Sequence, residues 1–124
     1  MKIEVANGEI VDKYTILKIK NDKVKDNSKL KNIQAEMCYL ESIIQNISII
    51  PERIDELINI NSKIWNIEDD IRKKEKNKEY DLEFIELARS VYFNNDKRAE
   101  IKKKINIETD SMFVEEKSYE EYDE

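Results

Sequence analysis

Residues 30–47, "LKNIQAEMCYLESIIQNI", are the stretch on which the fold turns. The apolar residues Leu30, Ile33, Met37, Leu40, Ile44 and Ile47 recur at alternating intervals of three and four, which lines them along one helical stripe in the manner of a coiled-coil seam. Pro51 is read as its end, because the ring removes a helix hydrogen bond and collides with the preceding turn. A second seam follows in Leu57, Ile60, Ile64, Ile67 and Ile71, with Ile54, Ile58 and Trp65 beside it. Two seams joined by the few residues around Pro51 predict an antiparallel helix hairpin, since short connections set consecutive helices side by side. The rival geometry is a kinked continuous helix that pairs with another chain, and the sequence leaves both open.

Working outward, helices account for most of the remaining chain. Of 124 residues, 40% are hydrophobic and 40% charged, while Gly and Pro occur once each. That composition builds long helices with charged outer faces and is too poor in turn residues for an all-β fold. The length suits one domain with one core. The 20 Ile against 6 Leu, and 18 Lys against 4 Arg, read as the codon bias of an AT-rich genome, so runs of Lys and Ile carry less functional weight than usual.

Upstream, "KIEVA" (residues 2–6) alternates polar and apolar and suits a short strand. Asn7 is then placed to cap a first helix running from about Gly8 to Lys25, with Ile10, Tyr14, Leu17 and Val24 inward and Ile16 and Ile19 widening the face. "DNSK" (26–29) is a turn with a new cap at Asn27 or Ser28.

Downstream, Asp81 caps a fourth helix, with Tyr80 and Ile85 as a hydrophobic staple and Phe84, Leu87, Ala88, Val91 and Tyr92 buried. Asn94, Asn95 and Asp96 read as a joint, because adjacent Asn side chains compete for backbone hydrogen bonds in a helix interior. A fifth helix then ends near Asn106, with Ile101 and Ile105 inward. Residues 112–115 form a candidate strand that would pair with residues 2–6 as a small ribbon packed on the helices. The expected organisation is one all-α bundle over residues 1–114 and an acidic, frayed tail over 115–124.

Four stretches carry a resemblance: "NGEIVDKYTILKIK" (7–20), "IWNIEDDIRKKE" (64–75), "FIELARSVYFNNDKRAEIKKKIN" (84–106) and "VEEKSY" (114–119). In that order they resemble an uncharacterised family of small bacterial and phage proteins, a domain of unknown function. The resemblance implies no activity.

The chemistry open to the chain is narrow. It has no His, which removes the usual general base, Ser-His and Cys-His nucleophiles and ordinary zinc sites. Cys38 is the single cysteine, so no internal disulfide forms; a reducing, cytoplasmic setting is expected, with Cys38 as a small buried apolar side chain beside the first seam. The absence of a long apolar run argues against a membrane span. Catalysis would need carboxylates and a divalent ion. The candidates are Glu52, Asp55 and Glu56; Glu68, Asp69 and Asp70; and Glu83 with Glu86, where pairs at i and i+3 share a helix face and hold magnesium through oxygen. All-α nucleotide pyrophosphohydrolases pair a Glu-x-x-Glu with a later Glu-x-x-Asp. Here Glu83 and Glu86 supply the first half, but Glu100 is followed at i+3 by Lys103 and Glu68 by Ile71.

With 28 acidic residues such pairs arise by chance, so a solvated face is the preferred reading and no cofactor is assigned. Residues 11–31 and 89–104 are locally basic, but Arg is scarce and the acidic tail is free to fold over them, which makes nucleic acid an improbable partner. Trp65, Tyr92 and Phe93 at helical spacing read as core before ligand pocket. Arg89, on an otherwise apolar helix, is expected to form a buried salt bridge to Glu68, Asp69 or Asp70, or an anion site. The sequence therefore favours a non-enzymatic interaction or accessory protein that works through helical seams on a protein partner or a second copy. A magnesium-dependent enzyme acting on a phosphorylated small molecule is the alternative.

Overall fold

Helix α1 (Asn7–Lys23) holds the central place in the computed structural model, which describes residues 1–122. It packs against each of the other three helices: α2 (Asn27–Ile44), α3 (Pro51–Lys76) and α4 (Leu82–Glu108). Val11, Thr15, Leu17 and Ile19 are all buried, on more than one side of α1. A helix that is apolar on several sides belongs inside a bundle.

The core is Val11, Leu57, Ile60 and Ile105, with Ile44, Ile49, Ile54, Ile64 and Ile101 packed around it. Val11, Leu57 and Ile105 are sealed completely, and each such side chain stabilises the fold by about 1.5–3 kcal/mol. Helices α3 and α4 form an antiparallel pair, fixed at one end by Arg53 with Glu108 at 2.8 Å and at the other by Lys74 with Asp81 at 2.9 Å.

The all-helical class is as expected, but the pairing is not. The hairpin expected between α2 and α3 is replaced by α1 with α2 and α3 with α4; among the described residues the α2 backbone makes no close approach to α3 or α4. The physical reason lies in α1, whose many-sided apolar surface takes the α2 seam, while the α3 seam is filled by α1 and α4. Pro51 does not stop α2, which ends at Ile44; it opens α3 as a first-turn residue, where its missing N–H costs nothing.

The joint expected at Asn94 is also absent. Helix α4 runs unbroken, with Asn94 buried and its Nδ2 donating to the Ser90 carbonyl at 2.7 Å. That bond uses the amide's donor within the helix, while its buried Oδ1 has no partner. Packing on α3 and the burial of Ile105 outweigh a propensity cost of about half a kcal/mol per Asn.

No strand occurs among the described residues, so the expected ribbon is not formed. The two segments do meet, through side chains. The Asn7 N–H donates to Ser111 Oγ at 3.0 Å, Asn7 Nδ2 to Thr109 Oγ1 at 2.9 Å, and the Gly8 N–H to Asn106 Oδ1 at 2.7 Å. Asn7 is thus the first helical residue and not the cap, and the free N–H groups of α1 are satisfied from the far end of α4. Gly8 permits this approach: a Cβ there would stand 2.6 Å from the Lys102 carbonyl oxygen.

Smaller details shift in the same way. Helix α1 ends at Lys23, short of Lys25, and Asp26, not Asn27 or Ser28, caps α2 by accepting from Ser28 and Lys29. Asp81 caps α4 as expected, at 2.9 Å from the Phe84 N–H. Tyr80 packs edge-on against Phe84 at 5.4 Å, while Ile85 stays exposed, so the staple uses the neighbouring residue. Ala88 and Tyr92 are also exposed, on the outer face of α4. Helices α3 and α4 both finish in a residue of positive φ, Lys78 (54°) and Asp110 (53°), followed by a bond back across the last turn, Glu79 to Lys74 and Ser111 to Asn106.

Candidate functional site

Where α1, α3 and α4 come together, the packing is polar. Asp12 and Thr15, three residues apart, lie on the α1 face toward α3; Asn61 comes from α3; Arg98 and Lys102, four apart, share a face of α4. Asp12 is 2% exposed. Its Oδ1 accepts from Arg98 Nε at 3.0 Å and Asn61 Nδ2 at 2.9 Å, and its Oδ2 accepts from Arg98 Nη2 at 2.5 Å, with Lys102 Nζ 4.0 Å away. Asn61 also donates to Thr15 Oγ1 at 2.9 Å, and Thr15 donates to the Asp12 carbonyl at 2.7 Å. A buried carboxylate is stable only when paired and fully hydrogen-bonded, and this one is.

The Arg98 guanidinium is held above its ordinary pKa, first by its hydrogen bonds to Asp12, against the opposing effect of burial. Lys102, nearly covered, pairs with Glu9 and lies 3.3 Å from Glu115. Burial raises the Glu115 pKa, but the charge and hydrogen bond of Lys102, aided by Lys117, bring it below the ordinary value.

Two grooves open on either side of Arg98. The larger, about 1220 Å³, lies between α4 and the tail and is walled by Tyr92, Arg98, Lys102, Lys117, Tyr119 and Tyr122. The smaller, about 410 Å³, follows α1 and α3 past Ile16, Ile19, Asn61, Ile64 and Trp65. Trp65 is therefore part of a groove wall as well as of the packing. The tail crosses the basic part of α4, with Lys103 3.9 Å from Glu116 and Tyr122 edge-on to Tyr92 and Phe93. The last two tail positions, 123 and 124, lie outside the described residues.

The residues singled out from sequence lie elsewhere. Glu83 is 3.1 Å from Lys74, and Glu86 is 3.3 Å from Arg89, both on the exposed side of α4. Glu68 pairs with Arg72 and Asp69 with Lys73 along the outside of α3, where Asp70 is exposed too. Among the described residues no three carboxylate or thiol groups cluster closely enough to hold a metal ion. Arg89 is not buried and does not reach Glu68, Asp69 or Asp70; it is half-exposed, paired with Glu86 and lying over the Phe93 ring at 5.6 Å. The arginine that meets a buried carboxylate is Arg98, about two and a half turns later and itself partly covered. Cys38 is exposed and not the buried apolar side chain expected.

Sequence reasoning missed Asp12, Asn61, Arg98 and Lys102. The signal available was a charged residue set among inward-facing apolar ones: Asp12 next to Val11, and Arg98 on the stripe that continues through Ile101 and Ile105. Three of the four stretches that carry the family resemblance supply residues here, Asp12 and Thr15, Arg98 and Lys102, and Glu115, while Asn61 lies outside them.

Fold and site together define, among the described residues, an all-α arrangement of four helices, stitched by the buried Asp12 and its partner Arg98 and grooved on both sides of that arginine. The chain belongs to the family of unknown function DUF6165, whose model matches residues 1–122. No curated protein and no solved structure matches it.

Proposed function

We propose that this is a non-enzymatic interaction protein that self-associates through the end of its bundle where the start of α1 meets the end of α4. The observation that carries the reading is the exposure there of Ile3 (75%), Ile107 (66%), Met112 (74%) and Phe113 (50%), with Val5 and Val114 half-covered, on segments pinned together by Asn7 and Ser111. Large apolar side chains left exposed in number mark association surfaces when they gather on one face. Residues 2–6 alternate in polarity and precede α1 without secondary structure, which suits strand addition by the same segment of a second copy. The surface replaces the seams as the contact, since the seams are spent on α1 and α4.

The rival readings gain less. Each of Glu68, Asp69, Glu83 and Glu86 has a basic partner on an outer face, which favours solvated ion pairs over a magnesium site. The basic part of α4 lies under the acidic tail, which disfavours a nucleic-acid face. A lone exposed thiol at Cys38 suits a reducing, cytoplasmic setting.

Sedimentation velocity across a concentration series tests the proposal. A monomer–dimer equilibrium that Phe113→Asp or Ile3→Asp shifts to monomer supports it. A monomer at every concentration, or a dimer indifferent to both substitutions, overturns it.

A further inference from the structure

The first half of α4 carries an apolar stripe that its own chain leaves open. Phe84, Leu87 and Val91 are half-covered there, and α3 is the helix that runs alongside. Among the described residues, every hydrogen bond and ion pair that ties α4 to α1 involves Arg98 or Lys102 or a residue beyond them. On the outer side Leu82 (71% exposed), Ile85 (50%), Arg89 and Tyr92 (43%) recur at intervals of three, four and three, with Ala88 exposed beside them. That spacing is a heptad seam, about 15 Å long at 1.5 Å per residue. The tail meets it at Tyr92, through the Tyr122 ring at 5.3 Å. Arg89 lays its aliphatic stem on the stripe and keeps its charge at the edge.

We propose that this stripe pairs, antiparallel and about a two-fold axis, with the same stripe of a second copy. The charges select that occupant. Glu86 and Arg89, 3.3 Å apart and each at least half-exposed, flank the middle of the stripe and are opposite in sign. An antiparallel pairing that sets Leu82 against the partner's Tyr92, and Ile85 against the partner's Arg89, also sets each Arg89 across from the partner's Glu86. One ion pair within each helix is thereby exchanged for two between helices. A parallel pairing would set like charges side by side, which is unfavourable. A lipid surface is disfavoured by Glu83 and Glu86 beside the stripe and by the net charge of −6. The contact is separate from the one proposed where the start of α1 meets the end of α4. Two different two-fold contacts on one subunit build chains or rings in place of a closed pair, so the molecule becomes an assembling scaffold.

The test uses the full-length chain carrying Phe113→Asp, a change aimed at the other contact, so that the two readings fail separately. Sedimentation velocity is run to high protein concentration. A monomer–dimer equilibrium is expected. Ile85→Asp abolishes it, and Glu86→Arg and Arg89→Glu each weaken it about tenfold, because each turns two attractions into repulsions. Mixed in equal amounts, the two charge variants recover the dimer that neither forms alone, since each carries the charge that the other lacks. All three positions are exposed, and a melting curve confirms the fold of each variant. A monomer at every concentration, a dimer indifferent to these substitutions, or a mixture no more associated than its components overturns the proposal.

Discussion

Asp12 and Arg98, 86 positions apart, share two hydrogen bonds, Nε to Oδ1 at 3.0 Å and Nη2 to Oδ2 at 2.5 Å. They tie the middle of α1 to α4 across a nearly dry interface, and removing one partner strands the other. Asp12→Ala is therefore expected to cost about 3 kcal/mol in urea unfolding, somewhat below the full buried-pair range's upper end because Arg98 keeps some water. The double change Asp12→Leu with Arg98→Met restores much of that loss. A single substitution costing under about half a kcal/mol would show that the bridge contributes little.

Gly8→Ala should destabilise although Ala is the better helix former. Its Cβ would lie 2.6 Å from the Lys102 carbonyl oxygen and 3.1 Å from Asn106 Oδ1. Backbone cannot move aside as a flexible side chain would, so overpacking of about 1–3 kcal/mol outweighs a propensity gain of about 1 kcal/mol. A melting temperature equal to or above that of the parent would contradict this.

Lys78→Gly should act in the opposite sense. Lys78 closes α3 at φ 54°, a left-handed conformation that a residue with a Cβ adopts at a cost. Glycine there is expected to raise stability by up to about 1 kcal/mol, read as a higher urea midpoint at unchanged slope. The same change at Lys76, inside the helix, should lower it.

Acid should unfold the protein late. The Asp81 carboxylate lies below its ordinary pKa of 3.8, first through Lys74 and then through the Phe84 N–H, and Glu108 lies below 4.5 through Arg53. A carboxyl whose pKa is depressed by folding contributes stability that is complete above the ordinary value and lost as pH falls through the folded one. With no His to titrate, the melting temperature should stay level from pH 8 to about 5 and fall below about 4. A decline already evident between pH 8 and 6 would mean that other groups govern it.

Helix content was legible because the periodicity of residues 30–47 and 54–71 is strong and turn residues are few. Which helices pair was not, because an apolar stripe does not name its partner; Val11, Leu17 and Ile19 made α1 the hub only once packed. Asn94 misled through its propensity, which long-range packing of α4 overrode. The site was hidden for a related reason. Arg89 and Arg98 look alike in sequence, and only the α1 neighbour, Asp12, distinguishes the buried one.

The start of α1 has a consequence for how the chain is made. The Gly8 N–H waits for Asn106, 98 residues later, and the Asn7 N–H for Ser111, 104 residues later. During synthesis α1 emerges before α4, so α1 remains open at its beginning until α4 has left the ribosome. Closing so long a loop slows folding. Until then Val11, Leu17 and Ile19 have only α2 and α3 to cover them, and this early intermediate is the species on which chaperones and proteases would act.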